Sequence, residues 1–161
     1  MFDGIEEIKK TSTSTTYLTH SFHPYPAKFI PQIPNFFINK FSSEGDVILD
    51  PFVGCGTTLV ESAISNRESI GVDLNPIAAL ISRTKSSKLS TNQMKLIDNF
   101  KKNIRLRIHD HYKNGEDLKV TNQFPNIDHW FQVNVQKELT LITDEISKIK
   151  DEKSSDFIKT A

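Results

Sequence analysis

The chain has 161 residues, ordinary apolar content, a quarter of its residues charged and a formal net charge of zero. That length suits one folded domain, and the balanced charge excludes both a disordered tail and a broadly basic nucleic-acid binder, so any nucleic-acid contact has to be local. Cys55 is the single cysteine, which excludes an intrachain disulfide and a cysteine-based zinc site and fits a reducing, cytoplasmic setting; "MFDGIEEIKK" lacks the apolar core of a signal peptide, and no apolar run reaches membrane-spanning length.

Residues 1–19 read as a polar lead-in, because "KTSTSTT", Lys10 to Thr16, is small, polar and without periodicity. Pro24, Pro26, Pro31 and Pro34 follow in "HSFHPYPAKFIPQIP", each barring a helix interior, so most of that stretch should be irregular. "PNFFINKF" predicts a short helix. "DVILD", Asp46 to Asp50, predicts a strand, and its continuous apolar centre suits burial on both faces.

After the turn "PFVGCGT", the residues Leu59, Val60, Ala63 and Ile64 share one helical face, with Asn66 as a stop. "SIGVD", Ser69 to Asp73, predicts a second strand. Asn75 then caps a second helix with Pro76 at its first position. Strand, helix, strand, helix in this order implies a parallel βαβα unit and an α/β fold. Further on, Leu96, Phe100, Ile104 and Ile108 recur at helical spacing, with Lys95, Lys101, Lys102 and Arg105 on other faces. Near the end, Val135, Leu139, Ile142, Ile146 and Ile149 predict another packed helix. Trp130 and Phe131 are read first as an aromatic anchor for that helix and second as a nucleic-acid stacking pair.

In a parallel α/β unit the turn after the first strand lies at the carboxyl edge of the sheet, where ligands settle against free helix N–H groups. Gly54 and Gly56 allow close backbone approach, Asp50 accepts hydrogen bonds from a ligand's donors, and Asp73 is placed to receive two ribose hydroxyls. Leu59 stands where a dinucleotide fingerprint needs its third glycine, and no Gly-Lys-Ser/Thr follows. Asp50 would repel pyrophosphate but suits a cationic ligand, which points to S-adenosylmethionine rather than NAD or ATP. The plain alternative is an α/β turn with a capping aspartate.

"DPFVGCGTTLVESAISNRESIGVDLNPIA" resembles the cofactor region of DNA amino-methyltransferases, the N4-cytosine and N6-adenine DNA methylases. "HSFHPYPAKFIPQIP" resembles the cofactor segment that precedes the glycine loop in some members. The resemblance implies a Rossmann-like S-adenosylmethionine methyltransferase fold over residues 20–161, present only as part of the parallel sheet with flanking helices. It assigns Asp50, Pro51, Phe52, Gly54, Gly56 and Thr57 to the cofactor loop, and Asp73 and Asn75 to the adenosine side. His23, Pro24, Tyr25, Pro26, Lys28 and Phe29 belong to the segment packed over the methionine end.

Such enzymes also need an Asp/Ser/Asn-Pro-Pro-Tyr/Phe tetrapeptide that holds the target amine and stacks on the flipped base. The sequence contains no Pro-Pro pair, and only two strands are identifiable. The expectation is therefore a cofactor-binding portion without catalytic residues, acting on DNA with a second polypeptide or a missing C-terminal region, and poorly soluble without it. An inactive remnant, a non-catalytic subunit and an RNA guanine amino-methylase are the alternatives, with a nicotinamide-dependent oxidoreductase more distant. His20 and His23 have a spacing that suits a metal, but no carboxylate or further histidine lies near them in sequence; cofactor packing or a structural hydrogen bond is the favoured role.

Overall fold

The computed structural model describes residues 14–115, 117–122 and 124–161, so most of the expected lead-in lies outside the described residues. They cluster into two compact units, one reaching to Lys88 together with Thr160 and Ala161, the other Leu89–Lys159.

The first unit contains α1 (Gln32–Phe41), β1 (Val47–Asp50), α2 (Thr57–Ile64), β2 (Glu68–Gly71) and α3 (Pro76–Ser86). Helix α1 begins two residues before Pro34, because a proline in the first turn lacks only an N–H that would have no partner there anyway. Strands β1 and β2 pair in parallel, from Val47 opposite Glu68 to Asp50 opposite Gly71, with α2 as their crossover. The expected strand, helix, strand, helix order is thus present. Helix α2 packs on both strands, on α1 and on α3, and the buried residues include Ile38, Val53, Leu59, Val60, Ala78 and Ile81.

Helix α2 stops where expected: Asn66 takes a left-handed conformation with φ 57°. Arg67 then reaches back to the end of α1, donating through Nε to the Ser42 hydroxyl (3.1 Å) and through Nη2 to its carbonyl oxygen (2.8 Å). Helix α3 begins as its sequence predicts, the Asn75 side chain accepting from the Ile77 N–H at 2.9 Å with Pro76 behind it.

The first strand differs from its expected burial. Val47 and Leu49 are 55% and 63% exposed, while Ile48 and Asp50 are half-buried. Successive side chains alternate across a strand, and among the described residues the sheet has only these two strands, so burial follows the alternation. The second strand also ends at Gly71, leaving Val72 and Asp73 to form the edge of the site.

The second unit contains α4 (Thr91–Asn114), α5 (Ile127–Trp130), α6 (Val133–Ser147) and α7 (Glu152–Thr160), apart from the last residue of α7. Ser90 and Gln93 form a reciprocal capping box at the start of α4, and Gly115 closes it in a left-handed conformation. Helix α4 packs on α6 through a row at seven-residue spacing, Ile97, Ile104 and His111. Of the row expected from the sequence only Ile104 is fully buried; Leu96, Phe100 and Ile108 flank it half-buried. Trp130 is 68% exposed and does not anchor the helix; Phe131 packs edge-on against Phe124 instead.

Ile81, 2% exposed on α3, gives a direct test of the first unit's core. Ile81→Ala should lower unfolding free energy by about 2–5 kcal/mol, read from urea titration of far-UV ellipticity.

Candidate functional site

The turn between β1 and α2 is built by side chains from its own two ends. At the tip of β1, Asp50 Oδ1 accepts from the Phe52 N–H (3.1 Å), which bends the chain through Pro51 and leaves the Phe52 ring 87% exposed. Val53 then turns inward and donates its N–H to the Val72 carbonyl oxygen (2.9 Å). Gly54 follows at φ +49° and Gly56 at φ +81°.

Gly56 needs to be glycine for two reasons. Its φ lies in the left-handed region, and a Cβ there would stand 2.8 Å from Cα and Cβ of Ser82 on α3. Gly54 is less crowded: a Cβ would meet Cε1 of Tyr25 at 3.4 Å, an ordinary contact. No side chain caps α2 at Gly56, so the N–H groups of its first turn face the turn region without a local acceptor. Thr57 is buried, its hydroxyl 3.6 Å from the Cys55 sulfur.

Asp73 joins the two carboxyl-edge turns. Its Oδ1 accepts from the Asn75 N–H (2.8 Å) and its Oδ2 from the Gly54 N–H (2.9 Å). These backbone donors, Asn75 first and Gly54 second, hold its carboxyl below the usual range. Each oxygen takes one of these bonds and the Leu74 N–H adds a weaker one, so of the roughly four acceptor positions of a carboxylate some capacity remains for a further donor. Leu74 beside it is fully exposed. That residue was not among those singled out from the sequence, although an apolar side chain between an acid and a helix cap has no local partner and could have been noticed on that ground.

The segment preceding α1 lies over this turn at one point, where Tyr25 meets Gly54. Lys28 Nζ donates to the His20 carbonyl oxygen (3.0 Å), closing residues 20–28 into a loop that carries Pro24 and Pro26 at its exposed outer side. His23 Nδ1 donates to the Thr160 carbonyl oxygen (3.1 Å). Phe29 lines a hollow of about 420 Å³ with Ile33, Phe37, Phe41, Leu49 and Asp50. The structure thus gathers Tyr25, Gly54, Asp73 and Asn75 around the turn, sets Phe29 in a hollow that reaches Asp50, and bonds His23 to Thr160.

Beneath the turn is a polar cluster that sequence reading did not assemble. Glu61, 0% exposed on α2, accepts on Oε1 from the Tyr17 hydroxyl (2.6 Å) and His20 Nε2 (2.7 Å), and on Oε2 from Asn35 Nδ2 (2.8 Å). Burial pushes the Glu61 carboxyl up, yet the bonds from His20, Tyr17 and Asn35 outweigh it and hold the group below its ordinary value. Burial also raises the Tyr17 phenol, reinforced by this same carboxylate. Lys85 is buried nearby on α3; desolvation pushes its ammonium down, and the adjacent Cys55 thiol offsets part of that. Among the described residues no cluster of three or more metal-ligating side chains exists, and His20 is committed to Glu61.

A family model described as DNA methylase matches residues 4–84, half of the chain, which takes in the covering segment, both strands and most of α3. The chain belongs to the N4-cytosine/N6-adenine DNA methylase family. This methylase chain is 38% identical over 96 residues to the Type II methyltransferase M.MjaII of Methanocaldococcus jannaschii, covering 60% of the chain and 17% of that protein. It is 30% identical over 163 aligned positions to the Type II methyltransferase M.MvaI of Kocuria varians, covering 99% of the chain and 36% of that protein. A shorter match, 39% identical over 51 residues, links it to the orphan methyltransferase M.BamHII of Bacillus amyloliquefaciens, covering 32% of the chain and 19% of that protein. The methylase chain therefore spans well under half the length of these relatives. No solved structure matches it.

Two measurements test this account of the site. Gly56→Ala should destabilise the methylase chain by more than about 1 kcal/mol, because both the left-handed backbone and the approach to Ser82 oppose a Cβ; Gly54→Ala should cost less in the same urea titration. Asp73 and Glu61 are both held below their unfolded values, about 3.9 and 4.3. The stability they supply is complete above those values and is lost as pH falls through the lower folded ones. The urea midpoint should accordingly fall as pH drops below about 4.3, and Asp73→Asn should flatten part of that dependence.

Proposed function

We propose that the chain is the cofactor-binding portion of an S-adenosylmethionine-dependent enzyme that methylates an exocyclic amine of cytosine or adenine in DNA. The observation that carries the reading is the Asp73 carboxylate, gripped by Gly54 and Asn75 with acceptor capacity to spare, facing a glycine turn that begins with a second acid, Asp50. A ribose diol is a donor that suits the acceptor capacity left on Asp73. The acid at Asp50 suits an ammonium group and opposes a phosphate.

The remaining assignments follow from position. Gly54, Gly56 and Thr57 present backbone beside the methionine portion, with Pro51 and Phe52 forming the outer wall of the turn. Asn75 fixes the adenosine side through its cap, and Tyr25 covers Gly54. Lys28, Pro24, Pro26, His23 and Phe29 shape the covering segment, Lys28 by closing residues 20–28 through the His20 carbonyl oxygen. A Rossmann-like order underlies this arrangement, of which β1, α2, β2 and α3 form one parallel unit.

The bound cofactor would supply a sulfonium methyl group, which the target amine takes in line as the carbon–sulfur bond breaks, the bonding pair staying on sulfur and an amine proton leaving to solvent or a base. The chain's own groups bind and orient. No Pro-Pro pair stands in the sequence to hold the target amine, so that part of the chemistry is assigned to a second polypeptide or a further segment. The exposed Val47 and Leu49, the edges left unpaired among the described residues and the apolar hollow beside Phe37 and Phe41 support such a complement. DNA is the substrate in this reading, with the exposed Lys101, Lys102 and Arg105 on α4 offering cationic side chains to its phosphates. Among the described residues no helix is long and apolar enough to cross a membrane, and a cytoplasmic setting is proposed from the single free cysteine.

Calorimetric titration checks the cofactor directly. S-adenosylhomocysteine should bind and NAD should not, and Asp73→Ala should weaken binding by about tenfold or more. Absence of any binding to S-adenosylhomocysteine by folded chain would overturn the reading. The purified chain should transfer no labelled methyl group to DNA by itself and should do so once a polypeptide carrying the Pro-Pro-aromatic motif is added. Transfer by the chain alone would refute the division of labour.

A further inference from the structure

We infer that Glu61 is a positioning residue that sets the covering segment onto the glycine turn and so governs how the methionine end of the cofactor is enclosed; this rests on the cofactor reading above. Among its described partners no lysine or arginine neutralises Glu61, and its side chain is wholly buried. A charge in that position is a poor device for stability alone, since an apolar residue of similar size would pack there without desolvation. Its value lies in where its three donors originate. Tyr17 and His20 belong to the segment before α1, Asn35 to α1, and the acceptor itself to α2, the helix that starts at Gly56. One carboxylate therefore references both the segment and the turn to the same helix.

The connection to the site is continuous. The imidazole of His20 is held by Glu61 and its carbonyl by Lys28, which closes residues 20–28, and that loop carries Tyr25 onto Gly54. Thr19 adds a hydroxyl bond to the Lys85 carbonyl oxygen on α3 (2.9 Å). Leu18 and Ala27, at φ 48° and 54°, sit in the left-handed region at the two ends of this run, a conformation that L residues keep only where surrounding contacts enforce it. The adenosine side is held separately, by Asp73 bonded to Gly54 and Asn75, with no member of the Glu61 cluster among those bonds. Loss of the carboxylate should thus loosen one end of the cofactor site and spare the other.

Glu61→Gln keeps the shape but replaces one acceptor oxygen by a donor, so the three donors can no longer all be accepted. Calorimetry on the whole chain should show S-adenosylhomocysteine binding weakened by about tenfold. Methylthioadenosine, which lacks the amino-acid end, should bind within about twofold of its wild-type affinity. Hydrogen exchange without ligand should rise across residues 17–30 and stay unchanged in β2 and α3. Tyr17→Phe, which deletes one donor and no charge, should reproduce the same selectivity to a smaller degree and serves if Glu61→Gln does not fold. Equal weakening of both ligands, or unchanged exchange across residues 17–30, would overturn the inference. If the wild-type chain binds neither ligand, the cofactor reading fails, and the exchange measurement alone then decides whether Glu61 sets the segment.

Discussion

Two backbone N–H groups converge on the carboxylate of Asp73, one from Gly54 in the turn after β1 and one from Asn75 at the start of α3. Gly54 lies in a left-handed turn outside any ladder, so its N–H finds no partner from regular secondary structure. Asp73 supplies that partner from the end of the neighbouring strand. The geometry of the glycine turn, the start of the following helix and the relative position of the two carboxyl-edge loops all depend on this one group. A parallel pair of strands makes it possible, because Asp50 and Gly71 are in register and both chains leave the sheet at the same edge.

A second carboxylate organises the other side of the turn by a different balance. Asp73 lies near solvent and is stabilised by backbone donors at little desolvation cost. Glu61 is buried, where desolvation is the largest influence on it and only the combined donors of His20, Tyr17 and Asn35 keep it ionised. The first group keeps acceptor capacity beside solvent. The second is suited to holding a segment of chain that has few regular hydrogen bonds of its own, since its prolines remove N–H donors and bar a helix.

The exposed face of β1 follows from the same topology. Helix α2 packs on the two-strand sheet, and Val47 and Leu49 of β1 stay largely exposed. In a complete parallel sheet both faces and both edges of such a strand are ordinarily covered. The relatives extend far beyond the matched region, by more than half their length in each of the alignments with M.MjaII and M.MvaI. An apolar strand and an apolar hollow open beside it are the surfaces that the proposed complement would cover.

What the sequence by itself determined was local. The left-handed stop at Asn66, the Asn75-Pro76 start and the glycine turn depend on the φ preferences and short-range hydrogen bonds of a few adjacent residues. The motif "DPFVGCGTT" is readable for the same reason, and with it the family. Tertiary structure alone decided which faces were covered, turning the α4 row to Ile97 and His111 and leaving Val47, Leu49 and Trp130 exposed. It also decided the partnership of Tyr17, His20, Asn35 and Glu61, whose separations in the chain reach 44 positions. No periodicity records such a pairing, because it depends on where a helix, a proline-rich segment and a loop come to rest against one another.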